Sequence, residues 1–155
     1  MSVTIGQKFP DCSLPATSGL TFTPQSCIGK KLVLYFYPKD STPGCTLQAG
    51  MFRDHIEAFT QANAVIIGVS RDSMKSHDNF KAKMDLPFEL ISDADEVLCN
   101  LFGVIKMKNM YGKQVRGIER STFIFDSKGI LQKEWRGLKV NGHIDEVLQT
   151  VIAMS

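Results

Sequence analysis

The sequence predicts one α/β domain with a mixed central sheet, helices on both faces and a small β-hairpin extension at the N-terminus. Three observations carry that reading. Leu32 to Tyr37 and Val65 to Ser70 are short apolar runs rich in β-branched or aromatic residues, as buried strands are. Between them, Cys45 to Gln61 spaces Leu47, Phe52, Ile56 and Phe59 as a helix does, giving a strand-helix-strand unit. Further on, Ser121 to Phe125 and Ile130 to Trp135 flank Asp126-Ser127-Lys128-Gly129, which reads as an antiparallel hairpin.

From the N-terminus, the Gly/Thr/Ser-rich residues 11–26 suggest the additional hairpin. After the first strand-helix-strand unit, Asp72-Ser73 can cap a second helix that runs through Met84. Pro87 to Ile91 is a short strand, and Asp93 or Asp95 opens a third helix ending near Phe102-Gly103. Residues 103–119, with Lys106, Met107, Lys108 and Met110, are the least regular and are expected to form a mobile loop over one end of the sheet. Asn141-Gly142 precedes a closing helix from His143 to Ala153.

With 155 residues the chain fits one compact domain, 1–155, with a sizeable core, and its 43% hydrophobic and 22% charged content is that of an ordinary globular protein. Eighteen basic against sixteen acidic side chains give a net charge of +2, and no basic cluster exceeds Lys30-Lys31, so nucleic acid is not an expected partner. The N-terminus lacks the basic start and apolar run of a leader, and no stretch is apolar for a membrane's width; a cytoplasmic location without membrane attachment is expected. The four cysteines, at 12, 27, 45 and 99, show no close pairing, and free thiols are the default in a reducing compartment. CxxC is absent and His55, His77 and His143 are scattered, so neither a metal nor another cofactor is expected.

Chemistry concentrates between Tyr35 and Gln48, where an apolar strand passes through Pro38-Lys39-Asp40-Ser41-Thr42-Pro43-Gly44 to Cys45 at the start of a helix. The unpaired N–H groups and partial positive charge of a helix N-terminus favour a thiolate, which is the nucleophilic form of cysteine. Pro38 and Pro43 stiffen the approach, Gly44 permits close backbone contact, and Thr42 sets a hydroxyl just before the sulfur. Taken singly, a cysteine is more often a small buried hydrophobe, Arg120 a surface charge and Thr42 a turn residue. Arg53 and His55 lie about 12 and 15 Å along a helix from Cys45, too far to be its cation or its base.

Pro38-x-x-x-Thr42-x-x-Cys45, preceded by Leu34-Tyr35-Phe36-Tyr37 and followed by Phe52-Arg53-Asp54, resembles the active-site motif of the peroxiredoxins. Lys39 to Thr46, Gly68-Val69-Ser70, Phe88-x-Leu90-Ile91-Ser92-Asp93 and Glu119-Arg120-Ser121-Thr122-Phe123 are similar to the bacterioferritin-comigratory, or peroxiredoxin Q, subgroup, so the likeness runs nearly end to end. The resemblance implies a thioredoxin-like fold and a thiol-dependent peroxidase, with antioxidant activity, acting on hydrogen peroxide and organic hydroperoxides. It makes Cys45 the peroxidatic nucleophile, which becomes a sulfenic acid. Arg120 becomes the cation that opposes the thiolate and the developing charge, Thr42 the hydroxyl donor, and Pro38 a shield against bulk water. Gln48 stands where this subgroup often has Glu, which leaves its part in the network open.

The chain departs from the subgroup where a second thiol is common: position 50 is Gly50, and there is no sulfur around Lys81. A one-cysteine route is expected, with thioredoxin, or glutaredoxin with glutathione, reducing the Cys45 sulfenate directly. Cys99 is the possible resolving cysteine, and Cys12 and Cys27 are the remaining candidates for that role. Against the apolar stripe Val97, Leu98, Leu101 and Phe102, Cys99 falls on the acidic side near Asp95 and Glu96, so it is expected exposed with an ordinary acidity. A peroxide-sensing thiol protein that relays oxidation to a partner is the second function class compatible with these residues. A thiol-disulfide oxidoreductase is disfavoured by the missing CxxC. The resemblance implies a monomer, and an exposed Cys99 would allow a dimer.

Overall fold

The computed structural model describes residues 3–154, apart from the side chain of Met110. Its centre is a five-stranded mixed sheet. Strand β3 (Lys31–Phe36) runs parallel to β4 (Ala64–Ser70), which runs parallel to β5 (Glu89–Ser92). On its other side β3 pairs antiparallel with β8 (Ser121–Phe125), followed by β9 (Leu131–Arg136). The strand-helix-strand unit and the later hairpin anticipated from the sequence thus form two halves that meet at β3. All six β3 residues are buried, because that strand is central and covered on both faces.

Alternation along the strands sorts the core into two clusters. Leu32, Leu34, Phe36, Ile67, Val69, Ile91, Phe123 and Phe125 face one way, with Val3, Phe9, Leu14 and Phe22 of the N-terminal segment. Helix α4 (Val97–Phe102) covers that face through Leu98, Cys99 and Phe102. Val33, Tyr35, Ile66, Leu90 and Ile124 face the other way. They meet α1 (Pro43–Asp54), α2 (Ile56–Gln61), α5 (His143–Ala153) and Phe80 of α3 (Met74–Met84). A bulge at the β8–β9 register lets Leu131 join the first cluster while Trp135 packs against the second. Helices on both faces of a thioredoxin-like mixed sheet are the expected arrangement. The N-terminal hairpin is reduced to β1 (Leu14–Pro15) and β2 (Thr21–Phe22), and an Ala16–Ile91 bridge lays it along the β5 edge.

Three expectations need correction. The helix drawn from Cys45 to Gln61 is two helices, broken at His55 (φ −108°, ψ 12°), whose Nδ1 lies 2.8 Å from the Met51 carbonyl oxygen. Residues 103–119 are not an irregular loop: β6 (Ile105–Met110) and β7 (Lys113–Ile118) pair in unbroken antiparallel register. Their turn places Tyr111 (φ 55°) and Gly112 (φ 78°) in the left-handed region, a hairpin turn built on Tyr-Gly instead of the usual Asn-Gly. The third helix starts at Val97, and buried Asp93 caps it from outside, accepting the Leu98 and Cys99 N–H groups at 3.2 and 2.8 Å. That phase exposes Val97 and buries Cys99 completely, opposite to expectation. Burial, and then the Asp93 carboxylate, push the Cys99 thiol far up.

Candidate active site

Strand β3 delivers Tyr37 to the sheet's end, where the chain turns through Pro38–Ser41 into α1. Thr42 is the extended N-cap of α1 (φ −82°, ψ 155°), and Pro43 takes the first helical position, where its missing N–H costs nothing. Thr46 N–H is bonded to the Thr42 carbonyl at 2.8 Å, so Cys45 stands inside the first turn, among N–H groups without helical partners. Its side chain is 2% exposed, in the cluster with Tyr35, Tyr37 and Phe52.

Arg120, in the link between β7 and β8, comes to Cys45 from the neighbouring strand pair. Its NH2 group lies 3.4 Å from Cys45 Sγ, and its NH1 group donates to Gln48 Oε1 at 2.6 Å. Gln48 lies one helical turn beyond Cys45 and is fully buried, so sulfur, guanidinium and amide form one contiguous group. The amide Nε2 of Gln48 has no partner within the described protein, a donor without an acceptor beside the sulfur. A side chain on Gly44 would place Cβ 3.2 Å from Arg120 NH2; glycine there lets the guanidinium reach the thiol. A cation bonded to sulfur at a helix N-terminus stabilises negative charge on sulfur, and on an oxygen bound beside it.

The sequence-derived residues therefore converge in part. Cys45 and Arg120 are in contact, and half-buried Pro38 lies in the same loop. Thr42 is present but occupied, its hydroxyl donating to the Lys39 carbonyl at 2.8 Å within the turn. Cys99 is not part of the site. It belongs to the opposite face of the sheet, against which Cys12 and Cys27 are also packed, while Cys45 lies on the α1 face. Burial raises Cys27, and burial with the Asp93 and Asp11 carboxylates raises Cys12 to about 11.

Other participants carry no sequence signal of their own. Lys108 of β6 donates to the Ile118 carbonyl at 2.5 Å, within the β6–β7 hairpin; burial, and then the Arg120 charge, depress its ammonium. Asp40, in the Pro38–Ser41 turn, and His77 are buried side by side, and with Asp72 they form the metal-like grouping found among the described residues. His77 Nδ1 faces Asp40 at 2.7 Å and Nε2 faces the Ile91 carbonyl at 2.9 Å, so both ring nitrogens are engaged by groups of the protein. No helix among the described residues is long and apolar enough to cross a membrane.

The profile of the AhpC/TSA family matches residues 5–134. The chain is 51% identical over 155 residues to peroxiredoxin Bcp of Bacillus subtilis, covering 100% of this chain and 99% of that protein. It is 53% identical over 143 residues to peroxiredoxin Bcp of Xanthomonas campestris, covering 92% and 89%. Among solved structures, the X. campestris bacterioferritin comigratory protein, described for its alkyl peroxide reduction activity, superposes with a TM-score of 0.87 at 52% identity, covering 92% of this chain and 90% of that one. A cysteine-to-serine mutant of Xylella fastidiosa PrxQ gives a TM-score of 0.93 at 42% identity, covering 99% and 98%. With the family profile spanning most of its length and relatives about half identical from end to end, this chain belongs to the AhpC/TSA family, in its Bcp or peroxiredoxin Q group of thiol-dependent peroxidases.

Proposed function

We propose that Cys45 is the peroxidatic cysteine and that an external thiol recycles it. The observation that carries this reading is the Arg120 guanidinium held between Cys45 Sγ and Gln48 Oε1 at the first turn of α1. The Cys45 thiolate attacks the terminal oxygen of hydrogen peroxide or an alkyl hydroperoxide in line. An S–O bond forms, the O–O bond breaks, and sulfur keeps the transferred OH as a sulfenic acid. The departing oxygen leaves as hydroxide or alkoxide and takes a proton from water. Negative charge moves from sulfur onto that oxygen, and Arg120, bridging the two positions, opposes it throughout. The unpartnered Gln48 amide is a second donor, and Thr42 becomes a third when its hydroxyl turns from Lys39 to the bound peroxide. Pro38 shields the sulfur on the solvent side.

The second half of the cycle follows from where the other thiols lie. Cys12, Cys27 and Cys99 pack on the face of the sheet opposite Cys45, and bridged cysteines require Cα atoms within about 7 Å. This placement supports reduction of the Cys45 sulfenate from outside. One thiol of thioredoxin, or glutathione assisted by glutaredoxin, forms a mixed disulfide and releases water; a second thiol then frees Cys45 and leaves the donor as a disulfide. Cys45, Gln48 and Arg120 all come from one chain, which supports a monomer as the working unit.

The test treats fully reduced protein with one equivalent of hydrogen peroxide, with and without a sulfenate trap, and maps the products by peptide mass spectrometry. The expected result is an adduct on Cys45 with the other thiols free. A variant lacking Cys12, Cys27 and Cys99 is expected to turn over with thioredoxin or glutaredoxin, and Cys45→Ser is expected to be inactive. A rapid disulfide from Cys45 to Cys99, Cys12 or Cys27 would refute the external route, and an unmodified Cys45 would refute the peroxidatic assignment.

A further inference from the structure

Beneath the loop that leads to the active cysteine lies a polar cluster that the peroxidase chemistry does not use. Five segments meet there: the end of β3, the catalytic loop, the β4–α3 link, α3 and β5. The Asp40 carboxylate accepts from Tyr37 Oη at 2.6 Å and from Ser76 Oγ at 2.9 Å, and it faces His77 Nδ1 at 2.7 Å. The Asp40 N–H donates to Asp72 Oδ2 at 2.9 Å, which also accepts from Ser70 Oγ at 2.5 Å. The opposite ring nitrogen, His77 Nε2, faces the Ile91 carbonyl at 2.9 Å. The His77 and Asp40 side chains are 0% and 2% exposed. Ser41, the next residue, is held at φ 63°, a left-handed conformation that serine adopts only where its surroundings enforce it.

A neutral imidazole has one N–H and one lone pair, and here both ring nitrogens face acceptors. The facing groups are a carboxylate, a backbone carbonyl and, at 3.5 Å from Nδ1, the Tyr37 hydroxyl, which already donates to Asp40. The Asp72 carboxylate, in the same grouping, adds further negative charge. We propose that His77 is a positioning residue for the peroxidase step: a ring locked between Asp40 and the Ile91 carbonyl, which fixes the loop entering α1 and so holds the Cys45 sulfur in line beneath Arg120. Asp40 is bound through both its side chain and its backbone, just ahead of the Thr42 N-cap, so any shift at His77 passes directly to the first turn of α1. Burial opposes charge on Asp40, but the hydrogen bonds from His77, Tyr37 and Ser76 outweigh it and hold the carboxyl below its ordinary range.

The inference rests on Cys45 being the peroxidatic residue, and the experiment separates the two. In the full-length reduced protein, Cys45 oxidation by hydrogen peroxide is followed by stopped flow, and alkylation of the same thiol by iodoacetamide is followed in parallel. Peroxide reduction needs the sulfur aligned with Arg120, whereas alkylation needs only an accessible thiolate. His77→Gln is expected to slow the peroxide step by about tenfold or more, while alkylation slows by no more than about twofold. Tyr37→Phe, which deletes one hydroxyl, is expected to shift the balance the same way by about two- to fivefold, and it decides the matter if His77→Gln does not fold. Folded variants with peroxide rates within about twofold of the parent, or a parallel fall in both reactions, would each overturn the proposal. If Cys45→Ser still consumed peroxide, the peroxidase reading itself would fall.

Discussion

Lowering the pH should unlock α5 before it disturbs the active site, through His143. This residue opens α5, is 2% exposed, and sits between the Trp135 ring, edge-on at a 5.1 Å centroid distance, and Thr122 Oγ1, 2.9 Å from Nε2. Burial disfavours its charged form and, despite the raising influence of Glu146, lowers it from 6.5 to about 4. The folded value lies below the unfolded one, so between pH 6.5 and pH 4 the unfolded chain holds a proton that the native protein does not. The contribution is fully present above pH 6.5 and is lost progressively as the pH falls towards 4. Between pH 7 and pH 5 this residue alone should remove about 2 kcal/mol of stability, and about 3 kcal/mol over the whole window. Urea unfolding at half-unit pH intervals measures it, with His143→Gln as the reference that titrates every carboxylate but lacks the imidazole. The parent should lose about 2 kcal/mol more than the variant from pH 7 to 5, at equal m-values. Parallel stability curves would refute the assignment of a buried neutral imidazole.

Arg120→Lys keeps the charge but cannot span Cys45 and Gln48 together; the peroxide rate constant should fall about 10²-fold in stopped flow, and a loss under threefold would show that charge alone suffices. Gly68→Ala would bring Cβ within 2.8 Å of Leu90 Cδ2 and 2.9 Å of Tyr35 Cζ. The Tyr35 ring is confined by Tyr37, Phe52 and Phe88, so a cost of about 1–3 kcal/mol and a Tm drop of about 3–9 °C are expected by calorimetry; an unchanged Tm would contradict the packing described. Glu96→Gln removes the carboxylate that pairs with Arg71 at 3.0 Å and with Arg116, and amide exchange across β6 and β7 should quicken by up to about fivefold, with no change in β3.

The site is legible in the sequence where a single local segment encodes it. The run from Tyr35 to Gln48 combines strand, proline-glycine loop, helix start and thiol, and the fold places those parts together as their order suggests. Arg120 is distant in sequence and is reached only through resemblance, because nothing in an isolated arginine says which residue it will face. Reading Val97, Leu98, Leu101 and Phe102 as the buried stripe misplaces Cys99; the helix begins at Val97, which is exposed, and a buried aspartate supplies the cap from outside it. The β6–β7 hairpin gives little sign of itself because its lysines and methionines are weak strand formers and its turn lacks Asn-Gly. Asp40 and His77 are invisible as a pair, since only the sheet brings α3 beside the catalytic loop, and the break at His55 carries neither proline nor glycine to announce it.

The central sheet works as a wall between thiols, with one kinetic consequence. Under the proposed one-cysteine route, a sulfenic acid on the α1 side meets no thiol of its own chain, and its lifetime is set by the concentration of donor outside. Turnover should therefore be first order in reductant up to high donor levels. When donor runs short, a second peroxide competes for the same sulfur and carries it to the sulfinic acid, which thiols do not reverse. Capacity under oxidative load is then a property of the surrounding thiol supply as much as of the enzyme, and the thiols behind the wall stay reduced while Cys45 is consumed.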